Sequence, residues 1–132
     1  GKLNMAKRFL GRPVSILGTV VRGSRRGRLL GYPTANINPH HEAIPPSGVY
    51  AIYAVIDQRR YRGILNIGRR PTFDVNGEPI IESHLLNFDK DIYGRDIEIC
   101  FIKRLRPEKR FKNKEGLIKQ IKVDEKRACM LL

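Results

Sequence analysis

Apolar positions in this chain recur at two different spacings. Val14 to Val21 is rich in β-branched residues and reads as a strand. Gly48 to Ile56 (GVYAIYAVI) and Tyr61 to Ile67 (YRGILNI) read as two more, and Asp57-Gln58-Arg59-Arg60 between them suits a hairpin loop. Ile80 to Leu86 (IIESHLL) and Asp96 to Leu105 (DIEICFIKRL) flank a longer turn that ends at Tyr93-Gly94. The last segment alternates at first, with Ile97, Ile99 and Phe101 on one face and Asp96, Glu98 and Cys100 on the other. Near the C-terminus the period lengthens: Leu117, Ile118, Ile121, Lys122, Glu125 and Ala128 fit a helix with a narrow apolar stripe, and Asn113 is its expected cap. Gly116 in the first turn weakens that helix slightly. At the other end, Asn4 caps a short helix with Met5, Ala6, Phe9 and Leu10 on its apolar face, stopped by Gly11 and Pro13.

Five or six strands followed by one helix is thus the expected order. No helix long enough for a crossover separates the strands, so they pair antiparallel. Short strands with Gly- and Pro-rich turns favour a closed barrel over an open sheet. The expected organisation is a single domain over residues 1–132: an N-terminal linker helix over 1–13, a barrel over 14–106 and a C-terminal helix over 113–131.

Composition narrows the class. The chain has 132 residues and 41% hydrophobic content, enough for one packed domain and too much for global disorder. No apolar run approaches a membrane span, and the first residues, Gly1-Lys2-Leu3-Asn4-Met5, carry no apolar signal region. Cys100 and Cys129 are too few for a disulfide framework and lack metal-ligand spacing, so a reduced, cytoplasmic setting without membrane is expected. Lys plus Arg is 26 and Asp plus Glu is 13, a net charge of +13. The partner is therefore expected to be anionic.

Two connections are long for so small a domain, Arg22 to Gly48 and Gly68 to Pro79, and long structured loops usually carry function. In the first, Gly23-Ser24-Arg25-Arg26-Gly27-Arg28-Leu29-Leu30-Gly31 lets backbone amides and arginines approach a phosphate, or is simply a flexible basic loop. It is neither a Walker A loop nor a dinucleotide-binding fingerprint. Tyr32-Pro33-Thr34-Ala35-Asn36 follows. In extended chain Thr34 and Asn36 point the same way and offer two neutral oxygen donors, a pair suited to Mg2+ when substrate phosphates supply the charge; the same residues also fit an ordinary polar turn. Glu82 shares a strand face with Ile80, His84 and Leu86, which makes it a candidate general base, although a solvent-facing strand position explains it too. His84 reads as structural, and His40 and His41 lack the neighbours a zinc site needs. The basic run from Lys103 to Lys112 is compatible with nucleic-acid binding or with a solvated connection.

The order of these motifs is more specific than any one of them. Gly18-Thr19-Val20-Val21-Arg22-Gly23, then Gly27 to Asn36, Pro46 to Ala51, Asn66 to Phe73, Glu82 to Phe88, Asp91 to Gly94 and Leu105 to Phe111 together resemble the ATP-dependent riboflavin kinase family, collinearly over almost the whole chain. Ala6 to Pro13 is similar to the joint preceding the kinase domain of bacterial bifunctional riboflavin kinase/FAD synthetases. The resemblance implies a six-stranded antiparallel Greek-key barrel with a C-terminal helix, and transfer of the ATP γ-phosphoryl group to the riboflavin 5′-hydroxyl, giving FMN and ADP. It implies a nucleotide site of Gly23, Arg26, Gly27, Arg28, Gly31, Pro33, Thr34 and Asn36, with Mg2+ held by Thr34 and Asn36. It implies Glu82 as catalytic base and a flavin side of Asn66, Arg106 and Phe111. Asn87 and Tyr32 depart from the family pattern, outside the implied chemistry. A His-x-Gly-His signature, expected of the FAD synthetase domain that accompanies such kinases, is absent, so the chain is expected to make FMN and not FAD.

The alternative is a small basic barrel that binds nucleic acid without catalysis. It accounts for the charge but not for Glu82 or the Thr34/Asn36 pair. One ATP does not require +13, so Arg59 to Arg62 and Lys103 to Lys114 are expected to serve solubility or another partner surface.

Overall fold

The computed structural model describes residues 14–21, 35–40, 44–68, 80–86, 92–109 and 111–132. The helix expected over 5–10 and the loop from Gly23 to Gly31 lie outside them. Six strands and one helix follow in order: β1 Ser15–Val21, β2 Ala35–Pro39, β3 Gly48–Ile56, β4 Arg59–Gly68, β5 Ile80–Leu85, β6 Asp96–Arg106 and α1 Lys114–Leu131. The strands close a barrel in the order β1-β2-β5-β4-β3-β6, every pair antiparallel. Closure gives every strand a hydrogen-bonded neighbour on each side over part of its length.

The period-two pattern fills the barrel. Ile16, Val20, Ile37, Tyr50, Ile52, Leu65, Ile67, Ile81, Ile97, Ile99 and Phe101 form one buried cluster. Tyr50 meets Phe101 edge-to-face at 5.1 Å and 80°, the arrangement favoured by ring quadrupoles. A second, smaller cluster lies outside the barrel wall, where Val49, Ala51, Ile64 and Leu105 are covered by Ala128 of α1.

The strand β2 lies inside what the sequence presents as one long connection. Only Ile37 of ANINP is fully buried, so no apolar alternation marks it. It forms because β1 and β5 both need a hydrogen-bonding neighbour there. The β3–β4 turn is tighter than expected. Asp57 and Gln58 both take positive φ, 51° and 67°, the two-residue turn whose twist matches a hairpin, and β4 begins at Arg59.

On β6 the pairing with β3 slips twice, between Val49 and Tyr50 and between Ala51 and Ile52. The slips absorb Leu105 and Ile102 as extra residues. They turn Leu105 toward the helix and set Arg106 opposite Val49. Helix α1 starts as expected: Asn113 is extended (φ −149°, ψ 170°) and its side chain accepts from the Gly116 N–H at 2.8 Å. At its end the Tyr53 hydroxyl donates to the Leu132 carbonyl at 2.8 Å.

Candidate active site

The strand registers place the chemistry-bearing side chains in one row. Asn36 of β2 lies opposite Glu82 of β5. Glu82 lies opposite Asn66 of β4, Asn66 opposite Val49 of β3, and Val49 opposite Arg106 of β6. Residues directly opposite in neighbouring strands share a face. Their sequence neighbours Ile37, Ile81, Ile67 and Tyr50 point into the barrel, so the row runs along its outer wall. Asn36, Glu82 and Asn66 are half-buried, Val49 lies under α1, and Arg106 closes the row.

Asn36 has one unusual feature. Its Oδ1 is buried and has no hydrogen-bond partner among the described residues. A buried acceptor without a donor is costly, and such atoms call for a physical explanation. A hard cation suits a neutral amide oxygen of this kind. Thr34, the other expected ligand, and Gly23, Arg26, Gly27, Arg28, Gly31 and Pro33 of the expected nucleotide site fall outside the described residues. Among the described residues no three His, Cys, Asp or Glu side chains come together as a metal site.

At the far end, Arg106 is held rigidly. Its Nε donates to both Asp124 oxygens at 3.0 and 3.1 Å, and Nη2 donates to Oδ2 at 2.9 Å. Gln120 Nε2 donates to Oδ1 of the same carboxylate at 3.0 Å. The guanidinium carbon lies 5.8 Å from the centroid of the Phe111 ring, and Lys109 Nζ lies 5.7 Å from it. Glu108 reaches back to β4, where a Cβ added at Gly68 would come within 2.7 Å of Glu108 Oε1. The structure thus brings together Asn36, Glu82, Asn66 and Arg106, with Phe111 beside Arg106.

Asp124 is absent from the site read in the sequence, although a signal for it is there. Leu117, Ile121, Asp124 and Ala128 form one helical stripe. A carboxylate at a core position of a helix needs a buried cationic partner.

Two other groups are perturbed, both away from the row. Burial pushes the Tyr50 phenol above its ordinary value of 10.0, against the opposing effect of Arg104; its hydroxyl donates to the Pro46 carbonyl at 2.6 Å. Burial and then the Glu98 charge push the Cys100 thiol up, against the opposing effect of Arg60, and the raised value favours the protonated thiol at neutral pH. His40 Nε2 lies 2.6 Å from Thr19 Oγ1, and that hydroxyl donates to Asp96 at 3.2 Å. The histidine therefore ties β1 to the end of β2.

A family profile described as riboflavin kinase matches residues 10–132. The chain belongs to the riboflavin kinase family. It is 40% identical over 131 residues to the bifunctional riboflavin kinase/FMN adenylyltransferase of Bacillus subtilis, covering 97% of this chain and 42% of that protein. Against the enzyme of the same name from Pseudomonas fluorescens it is 40% identical over 121 residues, covering 92% and 39%. The chain thus spans about two fifths of the length of the relatives it matches. An RNA-binding riboflavin kinase of Bacillus subtilis, RibR, is 42% identical over 109 residues, covering 83% of this chain and 47% of that protein. Even the relative whose name mentions RNA is therefore named a riboflavin kinase.

Among solved structures, the riboflavin kinase of Trypanosoma brucei superposes with a TM-score of 0.65 at 22% identity, covering 92% of this chain and 80% of that one, which shows the shared fold. A Streptococcus pneumoniae structure named a macrolide-efflux protein superposes with a TM-score of 0.90 at 34% identity, covering 97% and 42%. Among the described residues of this chain no helix is long and apolar enough to cross a membrane. The six-stranded closed barrel with its C-terminal helix is the architecture the motif order implied.

Proposed function

We propose that this riboflavin kinase domain transfers the γ-phosphoryl group of ATP to the 5′-hydroxyl of riboflavin, giving FMN and ADP. The observation that carries the reading is the register row, with Asn36 and Glu82 directly opposite each other. Phosphoryl transfer needs little covalent help from the protein. It needs positioning of both substrates and stabilisation of charge.

In this reading the triphosphate lies at the β2 end, beside Asn36. A divalent cation bound there with the nucleotide supplies charge neutralisation, and Asn36, with Thr34 two residues before it, would hold it. The buried Oδ1 of Asn36, without a donor among the described residues, fits that role. Glu82 accepts the proton of the riboflavin 5′-hydroxyl as its oxygen attacks the γ-phosphorus; the bond from that phosphorus to the bridging oxygen breaks, and ADP leaves. Asn66 is one strand spacing from Glu82 on the part of the wall that α1 leaves uncovered, whereas Val49, the next position, is covered by the helix. In this reading Asn66 lies along the ribityl chain, and the ring lies off the covered wall, at Arg106 and Phe111.

The test is incubation of the protein with riboflavin, Mg2+ and ATP, followed by chromatography. FMN accumulating with equimolar ADP is expected. No FMN from folded protein across a range of nucleotides and divalent metals would overturn the reading.

A further inference from the structure

We propose that Asp124 is a positioning residue for the flavin ring, acting through Arg106, so that α1 forms part of the acceptor site. This rests on the riboflavin kinase reading above. Asp124 touches no substrate in this proposal. It sets the orientation of the group that does.

The Asp124 side chain is 1% exposed and that of Arg106 15%. A buried ion pair is a poor device for merely docking a helix, since an apolar pair of similar volume serves as well or better. A charge kept in that seam therefore points to another use. Arginine has five N–H donors. Nε and one hydrogen of Nη2 serve Asp124, and one of Nη1 serves the Pro107 carbonyl at 3.2 Å. Among the described residues, one donor on each terminal nitrogen remains. These two donors, with the Phe111 ring alongside, suit a planar heteroaromatic ring that carries acceptor atoms.

Both groups take their position from α1. Gln120 holds the Asp124 carboxylate from one helical turn away. The Phe111 ring packs beside the first turn, 3.7 Å from where a Cβ on Gly116 would lie. An arginine free to sample its rotamers would lose that freedom on binding the ring. The Asp124 clamp removes that loss beforehand. A separate bond, Arg127 Nη1 to the Leu105 carbonyl at 2.8 Å, also anchors the helix, at the backbone before Arg106 rather than at its guanidinium.

The test compares Asp124→Asn with Arg127→Ala. Riboflavin affinity is measured without nucleotide by quenching of flavin fluorescence, alongside KM for each substrate, kcat and thermal unfolding. Asp124→Asn is expected to raise the riboflavin Kd and KM about tenfold or more, with the ATP KM changed less than about twofold. Arg127→Ala is expected to lower the thermal midpoint while leaving the riboflavin Kd in place. Wild-type riboflavin affinity in Asp124→Asn would overturn the proposal, as would an equal affinity loss in Arg127→Ala. Should Asp124→Asn fail to fold, Arg106→Lys keeps the buried carboxylate paired but loses the fork; it is expected to show the same riboflavin-specific loss, and wild-type affinity there would overturn the proposal. If the wild-type protein neither binds nor phosphorylates riboflavin, the functional reading itself falls, an outcome distinct from a wild-type enzyme that Asp124→Asn leaves unchanged.

Discussion

Asn36 and Glu82 face each other across β2 and β5, one with a buried oxygen that has no donor among the described residues, the other an acid on the same half-buried wall. In the proposed reading, a phosphate-side group and a proton acceptor are thereby set one strand spacing apart. Both stand on paired backbone rather than on loops, which limits how far either can drift.

Glu82→Gln keeps the shape of the side chain and removes its basicity. It is expected to lower kcat by about 10²–10⁴-fold, the usual contribution of a positioned acid or base. Riboflavin affinity, read by fluorescence, is expected to stay near wild type. A variant with near-normal FMN production would remove Glu82 from the base role.

Asn36→Ala separates function from stability. Among the described residues Oδ1 has no donor, and a buried acceptor left so costs about 1–3 kcal/mol, so its removal is expected to leave the thermal midpoint unchanged or higher. The apparent Mg·ATP KM is expected to rise at least about tenfold, the loss of one interaction of roughly 1.4 kcal/mol. Initial rates across a Mg2+ titration check it, and identical curves for both proteins would count against the nucleotide-side assignment.

Gly48 opens β3 with a φ of 149°. A Cβ there would come within 2.7 Å of Arg104 Nε and 2.9 Å of the Arg106 carbonyl. Gly48→Ala is expected to lose about 1–3 kcal/mol from backbone strain, and to disturb the strand end that carries Arg106. Urea denaturation measures the first effect and riboflavin KM the second.

Tyr50 supplies a pH signature. Its phenol is raised above 10.0 in the fold, so the unfolded chain loses that proton first as pH climbs. The stability it contributes is full below about pH 10 and falls as pH rises from there toward its folded value. Tyr50→Phe is expected to cost about 0.5–1.5 kcal/mol at neutral pH, through the lost bond to Pro46. The gap between the two proteins is expected to narrow above pH 10. A gap that stays constant from pH 8 to 11 would contradict the assignment.

Most of the fold was legible because the local signals agreed. Strands such as GVYAIYAVI carry enough β-branched and aromatic residues to be recognised alone, and β3 runs from Gly48 to Ile56 as read. The alternation of Ile97, Ile99 and Phe101 marked the core face correctly. Asn113 capped α1 as its position suggested. The strand β2 was not visible as a strand, because five residues with one buried side chain make no periodic signal. Of the candidate site, Asn36, Glu82, Asn66, Arg106 and Phe111 were all named from sequence, through the order of motifs. Asp124 was not named as a site residue. It stood in the helical stripe, and its partner lies 18 residues away on another element.

By itself, then, the sequence determined that β1, β3, β4, β5 and β6 are extended and α1 coils, because the periods of two and 3.6 are written into neighbouring residues. Collinear motifs also determined the family. Tertiary structure alone decided the row from Asn36 to Arg106 and the clamp of Asp124 on Arg106. Both depend on register between strands distant in the chain, and register follows from barrel closure and from the two slips on β6 rather than from any local pattern.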